Sequence, residues 1–135
     1  MKTFIYTLAL LTFSGCSTVA VPLVDATPVP AERIFEPALL AAGKHNAAFV
    51  RDPGAWGSLC PFDIYVDNVK AFSIKPGEGI QLNLPLGTRL FRLEAAPALC
   101  ATTTRYLTST LEPGIPQVYR IFMDPTSGYH LSRVQ

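Results

Sequence analysis

From about residue 45 onward, apolar and polar side chains alternate with a period of two, which is typical of half-buried β-strands. The alternating runs lie at residues 45–51, 62–66, 70–75, 80–84, 91–94, 102–111, 118–123 and 129–134. Clusters of glycine, proline, aspartate and asparagine separate these runs roughly every ten residues. Seven to nine short strands at this spacing predict an all-β domain, and we favour a small antiparallel β-sandwich over a small barrel.

The alternation also predicts which side chains fill the core. The apolar members of four runs should share one inner face: Phe62, Ile64, Val66, Phe72, Ile74, Ile80, Leu82, Leu84, Phe91 and Leu93. Their polar alternates should face water: Asp63, Asp67, Lys75, Gln81, Asn83, Arg92 and Glu94. Asp67 and Asn68 separate two runs, and both residue types tolerate the left-handed backbone of a two-residue hairpin turn. A core filled in this way leaves no ligand-sized cavity.

The beginning of the chain follows a different pattern. Lys2 precedes the apolar run Phe4–Phe13, whose ten residues are too few for a membrane span of about 20 residues. The run instead suits the hydrophobic region of a signal peptide, and it ends at Ser14-Gly15-Cys16. Small residues before a cysteine resemble the bacterial lipobox, where the chain is cut before a cysteine that then carries a diacylglyceryl group. We therefore predict a lipoprotein signal peptide at residues 1–15 and lipidation of Cys16 by palmitate-type chains. A transmembrane helix and ordinary secretion with a free Cys16 are the alternatives.

The predicted anchor bears on localisation and on domain organisation. Two or three acyl chains would hold the protein firmly, since each buried CH2 contributes about 0.8 kcal/mol. Residue 17 is not the aspartate that commonly retains enteric lipoproteins at the inner membrane, so we expect an outer-membrane protein facing the periplasm. Residues 16–30 predict the lipidated cysteine and a proline-rich extended tether, and residues 31–135 the sandwich. Residues 30–35 predict a short edge strand, and residues 36–43 favour a helical turn.

Composition and charge exclude other classes. The chain has 135 residues, the length of one compact domain. Its 12 prolines and 9 glycines are too many for a helical bundle. Lysine and arginine total 11 and aspartate and glutamate 10, so the net charge of +1 indicates no basic face for nucleic acid.

The three cysteines leave an even pair if Cys16 carries the lipid. Because the periplasm is oxidising, Cys60 and Cys100 are predicted to form a disulfide. It would close a loop of about 41 residues, worth about 4 kcal/mol in the chain-entropy treatment. A redox or metal-binding pair is the alternative, but the chain has no C-x-x-C motif, and His45 and His130 lack ligand spacing to the cysteines. We expect no metal and no cofactor.

No group of residues predicts catalysis. The serines lack the G-x-S-x-G elbow of a hydrolase, and His45 and His130 each lie beside a turn, where a surface or structural role is the simpler interpretation. Asp63 and Asp67 share one face of a predicted strand, but Asp67 is more simply a turn residue than half of a carboxylate pair. We therefore expect a protein that is not an enzyme.

The loop that follows the first predicted strand is the candidate binding loop. It holds Trp56, the only tryptophan, which can serve as a binding anchor or cover the nearby disulfide. Arg51 and Asp52 lead into this loop, as a local ion pair or as a brace of the turn.

Several of these features occur together in one known group of proteins. They are Arg51-Asp52, Cys60, Ile64–Ala71 (IYVDNVKA), Pro76-Gly77-Glu78, Leu84–Gly87 (LPLG), Cys100, Glu112-Pro113-Gly114 and Tyr119-Arg120. As a set they resemble a domain-of-unknown-function family of small proteobacterial lipoproteins, from Glu32 to about Leu131. The sequence departs from the family pattern at Asn68, where glycine is usual and asparagine is the best substitute.

The resemblance implies a β-sandwich, a Cys60–Cys100 bridge and a lipid anchor, and it carries no established activity. We therefore expect a non-enzymatic, outer-membrane-anchored lipoprotein that serves as a structural or protein-binding module, with the membrane and an envelope protein as its partners. The alternative is an envelope factor, such as an inhibitor of a cell-wall hydrolase that acts through the loop at residues 53–60.

Overall fold

The computed structural model describes residues 18–40, 43–54, 57–95, 100 and 103–135. The predicted signal peptide and Cys16 lie outside these residues. The strands are β1 (Thr27–Pro28), β2 (Ala47–Arg51), β3 (Phe62–Val66), β4 (Val69–Ile74), β5 (Glu78–Leu82), β6 (Gly87–Ala95), β7 (Thr104–Leu111), β8 (Gln117–Asp124) and β9 (Gly128–Arg133). A five-stranded sheet has the order β1-β5-β2-β8-β9, and a four-stranded sheet has the order β4-β3-β6-β7. The predicted small all-β sandwich is confirmed.

Apolar side chains fill the space between the sheets. All ten side chains predicted for the core are buried in one continuous cluster. At its centre the ring of Phe49 packs against three others, with centroids 5.4 Å from Phe72, 5.2 Å from Phe91 and 4.9 Å from Tyr119. The predicted register is therefore correct, because a slip of one residue would have moved every one of these side chains to the opposite face.

The hairpin between β3 and β4 turns through two residues with left-handed backbone, as predicted. The φ angles are 49° at Asp67 and 69° at Asn68. The carboxylate of Asp67 also accepts a hydrogen bond from the backbone N–H of Leu90 at 2.9 Å and pairs with Arg89 at 2.7 Å. Asp67 is thus a turn residue whose carboxylate is held by these two contacts.

The prediction that Asp63 faces water is wrong. Its side chain is on the outer face of the four-stranded sheet, yet the residue is only 5% exposed. β3 lies between β4 and β6, and Lys70 of β4 places its Nζ 2.8 Å from Asp63 Oδ2. A central strand is covered by the long side chains of its neighbours, which a single-strand pattern does not reveal. The other predicted water-facing positions are exposed or half-buried: Asp67, Lys75, Gln81, Asn83, Arg92 and Glu94.

Most strand pairs are antiparallel, but β1 pairs with β5 and β2 pairs with β8 in parallel. The alternation pattern assigns residues to a face and carries no information on strand direction. β2 is the central strand of the five-stranded sheet, and all five of its residues are buried. Its inner side faces the core, and its outer side is covered by the N-terminal segment.

That segment, residues 18–36, is a strap: the described part of the predicted tether packs on the domain. The backbone N–H of Val19 donates to Pro53 O at 2.9 Å, and the N–H of Val29 donates to Gly79 O at 3.1 Å. Val29 is 6% exposed and belongs to the core. Of the valines in this stretch, Val29 is packed in the core, whereas Val19 and Val24 are exposed.

The predicted edge strand at residues 30–35 is wrong. The strap instead forms short 3-10 turns at Leu23–Asp25 and Ala31–Arg33, and a single bridge joins Ile34 to Phe72 of β4. A third 3-10 turn, Pro37–Leu40, falls where the helical turn is predicted. The backbone N–H groups of Arg33 and Ile34 donate to Pro30 O and Ala31 O within the turn, so they are not available for a continuous ladder.

Candidate functional site

The Cys60–Cys100 disulfide is formed, as predicted, with its Cα atoms 5.8 Å apart. It lies at one end of the sandwich, which we call the disulfide end. β2, β4 and β8 finish at this end, and β3, β5 and β9 begin there. The disulfide end therefore also carries the loop at residues 52–61 and the turns at residues 75–77 and 125–127.

Arg51 braces the loop at residues 52–61 from inside. The residue is 1% exposed, and its guanidinium donates hydrogen bonds to the carbonyl oxygens of Gly57, Cys60 and Ile74, at 3.1, 2.5 and 3.0 Å. It also lies 4.0 Å above the ring of Phe62. Burial lowers the pKa of Arg51 to about 10, against an opposing effect of Tyr129, so the side chain remains charged at neutral pH.

A glycine is needed in the same loop for two reasons. Gly57 has a φ of 66°, in the left-handed region. A Cβ there would also lie 2.2 Å from the hydroxyl oxygen of Tyr129, so Tyr129 is packed directly beneath the loop. The loop is held from below by Arg51, by Tyr129 and by the disulfide.

Asp52 points away from Arg51, so the predicted local ion pair between them does not form. Asp52 is 2% exposed, pairs with Arg120 of β8, and accepts a hydrogen bond from the backbone N–H of Val21 at 3.2 Å. It thereby fastens the strap to the five-stranded sheet. Because Arg51 and Asp52 are both buried, they support the candidate binding loop and offer no contact surface to a partner.

Trp56, the predicted anchor, lies outside the described residues. A different side chain of the same loop is exposed: Leu59 is 93% accessible to solvent. The sequence analysis missed it. A leucine between the turn residues Gly57-Ser58 and Cys60 is the signal that could have marked it, because no alternation assigns it to the core.

The two histidines and the turn at residues 125–127 do not assemble a catalytic triad. His130 Nε2 lies 2.7 Å from Ser127 Oγ, and its ring stacks on Phe122. The carboxylate of Asp124 accepts hydrogen bonds from the hydroxyl of Thr126 and from the backbone N–H groups of Thr126 and Ser127, the latter two at 2.8 and 3.1 Å. These bonds order the turn and lower the pKa of Asp124 to about 2. A triad needs that carboxylate on the histidine instead.

An open groove on the outer face of the five-stranded sheet has a volume of about 820 Å³. We call it the outer groove. It lies between the strap and the sheet and is lined by Leu23, Val24, Ala26, Pro28, Val29, Ile34, Leu40, His45, Gly79, Ile80, Gln81, Val118 and Gln135. The lining is mainly apolar, and no carboxylate belongs to it. The core is filled as predicted, and the groove lies at the surface of the sandwich.

Among the described residues, no group of three histidine, cysteine, aspartate or glutamate side chains could hold a metal ion. Likewise, no helix within the described ranges is long and apolar enough to cross a membrane. Comparisons of this chain with models of protein families, with curated proteins and with solved structures find no match. The resemblance to a lipoprotein family therefore stays a prediction from the sequence.

Proposed function

We propose that this protein is a lipoprotein, anchored through Cys16 in the outer membrane, whose sandwich is a non-enzymatic module that binds an envelope protein in the periplasm. The apolar run that ends at Gly15-Cys16 supports the anchor. The disulfide between Cys60 and Cys100 fits an oxidising compartment.

The binding role is supported by where the charged and the apolar side chains lie. The buried charged side chains described above hold the fold: Arg51 braces a loop, Asp52 fastens the strap, and Glu78 pairs with Arg33. Apolar side chains, in contrast, line the outer groove. Val24 is 88% exposed and Leu40 is 38% exposed at its rim. Such a concavity suits an apolar segment of another protein better than it suits acid–base chemistry.

Site-specific photocrosslinking in cells tests the binding role. A photoreactive residue at Val24 should capture the same partner as one at Gln81, because both positions line the outer groove. Tyr106 is the matched control, since it is 65% exposed and belongs to β7 of the four-stranded sheet, whose strands contribute no residue to the groove lining. Capture that is equal at all three positions, or absent at both groove positions, would contradict this role.

Intact mass tests the anchor. The membrane form of the protein should weigh more than residues 16–135 by a diacylglyceryl group and an N-acyl chain. A Cys16→Ser variant should stay uncut or become soluble. Recovery of an unmodified, soluble mature chain from the wild type would refute the lipid anchor.

A second candidate function is inhibition of a cell-wall hydrolase through the loop at residues 53–60. The exposure of Leu59 on a turn braced by Arg51 favours it, because inhibitory loops are rigid and protrude. Under this alternative, Leu59→Ala should abolish inhibition of the hydrolase, whereas Val24→Glu in the outer groove should leave it unchanged.

A further inference from the structure

The strap begins at the disulfide end of the sandwich. Thr18 Oγ1 accepts a hydrogen bond from the backbone N–H of Met123 at 3.0 Å. The next residue, Val19, donates its backbone N–H to Pro53 O at 2.9 Å, and Val21 donates to Asp52 at 3.2 Å. The first described residue of the chain is thus fixed against the end of β8 and the beginning of the loop at residues 52–61.

Only Ser17 separates Thr18 from Cys16. Because consecutive Cα atoms are about 3.8 Å apart, the Cα of Cys16 lies within about 7.6 Å of the Cα of Thr18. A lipid on Cys16 must therefore enter the bilayer close to the disulfide end. The geometry leaves no spacer that could hold the domain away from the membrane while the strap stays packed.

We propose that the disulfide end rests on the bilayer, with Leu59 in the headgroup region, so that the domain has a fixed orientation on the membrane. This inference rests on the proposed lipid anchor, and the partner of this surface is the lipid bilayer itself. The outer groove, which runs along the side of the sandwich, would then remain open to the periplasm.

The chemistry of the disulfide end is compatible with this contact. Val19 is 69% exposed and Leu59 is 93% exposed, and Lys75 is an exposed cation at the same end. Among the carboxylates at this end, Asp52 pairs with Arg120, Glu78 with Arg33 and Glu94 with Arg92, while Asp25 is exposed.

A further carboxylate at this end, Asp124, is directed to its own turn. The opposite end also has exposed apolar side chains, such as Leu86 and Ile115. Exposure alone therefore does not indicate which end meets the bilayer. The position of Thr18 at the disulfide end indicates it.

A chain of residues 16–135 retains every described residue, and Cys16 is its one cysteine outside the disulfide. Cys16 can therefore be coupled to a maleimide-bearing phospholipid and inserted into vesicles of phosphatidylethanolamine and phosphatidylglycerol. Two single-tryptophan reporters in a Trp56→Phe background, Leu59→Trp and Ile115→Trp, then report on the two ends. Quenching by brominated lipids should be at least about twofold stronger for Leu59→Trp than for Ile115→Trp. Equal quenching, or stronger quenching of the Ile115 reporter, would overturn the inference.

Two controls keep the result interpretable. Both reporters should unfold at the same temperature as the Trp56→Phe parent. A flexible 20-residue Gly-Ser insertion between Cys16 and Thr18 should abolish the difference between the reporters, because it frees the domain from the anchor.

Chemical coupling supplies the lipid here, so absence of natural lipidation would refute the proposed anchor without altering the outcome of this experiment. Quenching of neither reporter, with the Leu59 loop protected only in the presence of an envelope protein, would instead support the inhibitor function.

Discussion

The two sheets have very different outer faces. On the four-stranded sheet, charged and aromatic side chains cover the outer face by pairing across strands: Arg92 lies 3.8 Å above the ring of Tyr65, and Lys70 pairs with Asp63. The five-stranded sheet is crossed by the strap, and β2 at its centre is buried on both sides. The difference teaches that regular alternation marks a face left to solvent, whereas a strand that is apolar on both sides marks a face that another segment covers.

The largest expected effect concerns two arginines that each stack on an aromatic ring. Arg51→Met should destabilise the fold by about 3–5 kcal/mol, because three carbonyl oxygens lose a buried charged donor. Arg92→Met, on the open face, should cost no more than about 1 kcal/mol. Urea unfolding of both variants measures the contrast. Equal losses would mean that the two faces do not differ as described.

The second contrast concerns the packing of the strap. A Cβ on Gly79 of β5 would lie 2.9 Å from Ala26 Cβ and 3.2 Å from Leu23 Cδ1. Gly79→Ala should therefore push the strap outward, cost about 1–3 kcal/mol, and speed proteolytic cleavage within residues 18–30. Thr108→Val on the exposed face of β7 is the control and should stay within about 0.5 kcal/mol of the parent. If cleavage of the strap is unchanged in the glycine variant, the strap is not held by this contact.

The smallest contrast compares two carboxylates that each pair with an arginine. Burial raises the pKa of Glu78, but hydrogen bonds from Arg33 and from the backbone N–H of Lys75 outweigh it, so that the pKa lies below its ordinary value of 4.5. A lowered pKa stabilises the fold above the ordinary value, and this contribution is lost as pH falls through the folded-state pKa.

Glu78→Gln should therefore cost about 1–2 kcal/mol at pH 7 and progressively less below pH 4. Glu94→Gln, whose partner Arg92 lies on the open face, should cost no more than about 0.5 kcal/mol. Thermal unfolding from pH 3 to 7 measures both. A loss for Glu78→Gln that is the same at every pH would argue against the ion pair as its cause.

The sequence predicts the core side chains of β3 and β6 well because apolar and polar residues alternate along both strands. Phe62, Ile64 and Val66 alternate with polar residues in β3, so their assignment to the core follows from strand geometry. The disulfide follows from counting cysteines, once one of them is assigned to a lipid. The turn at Asp67-Asn68 follows from backbone preference alone.

The strap, the outer groove and the role of Arg51 could not be predicted in the same way. Each depends on contacts between residues distant in sequence, such as Val29 with Gly79, or Arg51 with Ile74. An arginine in an alternating run is expected at the surface. Only the tertiary structure shows that three carbonyl oxygens accept hydrogen bonds from Arg51. The proline-rich composition of residues 17–30 correctly excludes a regular helix but contains no signal for what the segment packs against.

The parallel pairing of β2 with β8 has a consequence for how the chain reaches its native state. Ala47 pairs with Gln117, so the strand at the centre of the sheet gains its second neighbour only after 70 further residues are available. Pairings of such long range make folding slow, on a scale of about milliseconds to seconds. Until β8 arrives, the apolar segment Ala47–Val50 has one unpaired edge, which is the surface through which partly folded sandwiches aggregate. We therefore expect the chain to be prone to aggregation until residues 117–124 are available to pair with β2.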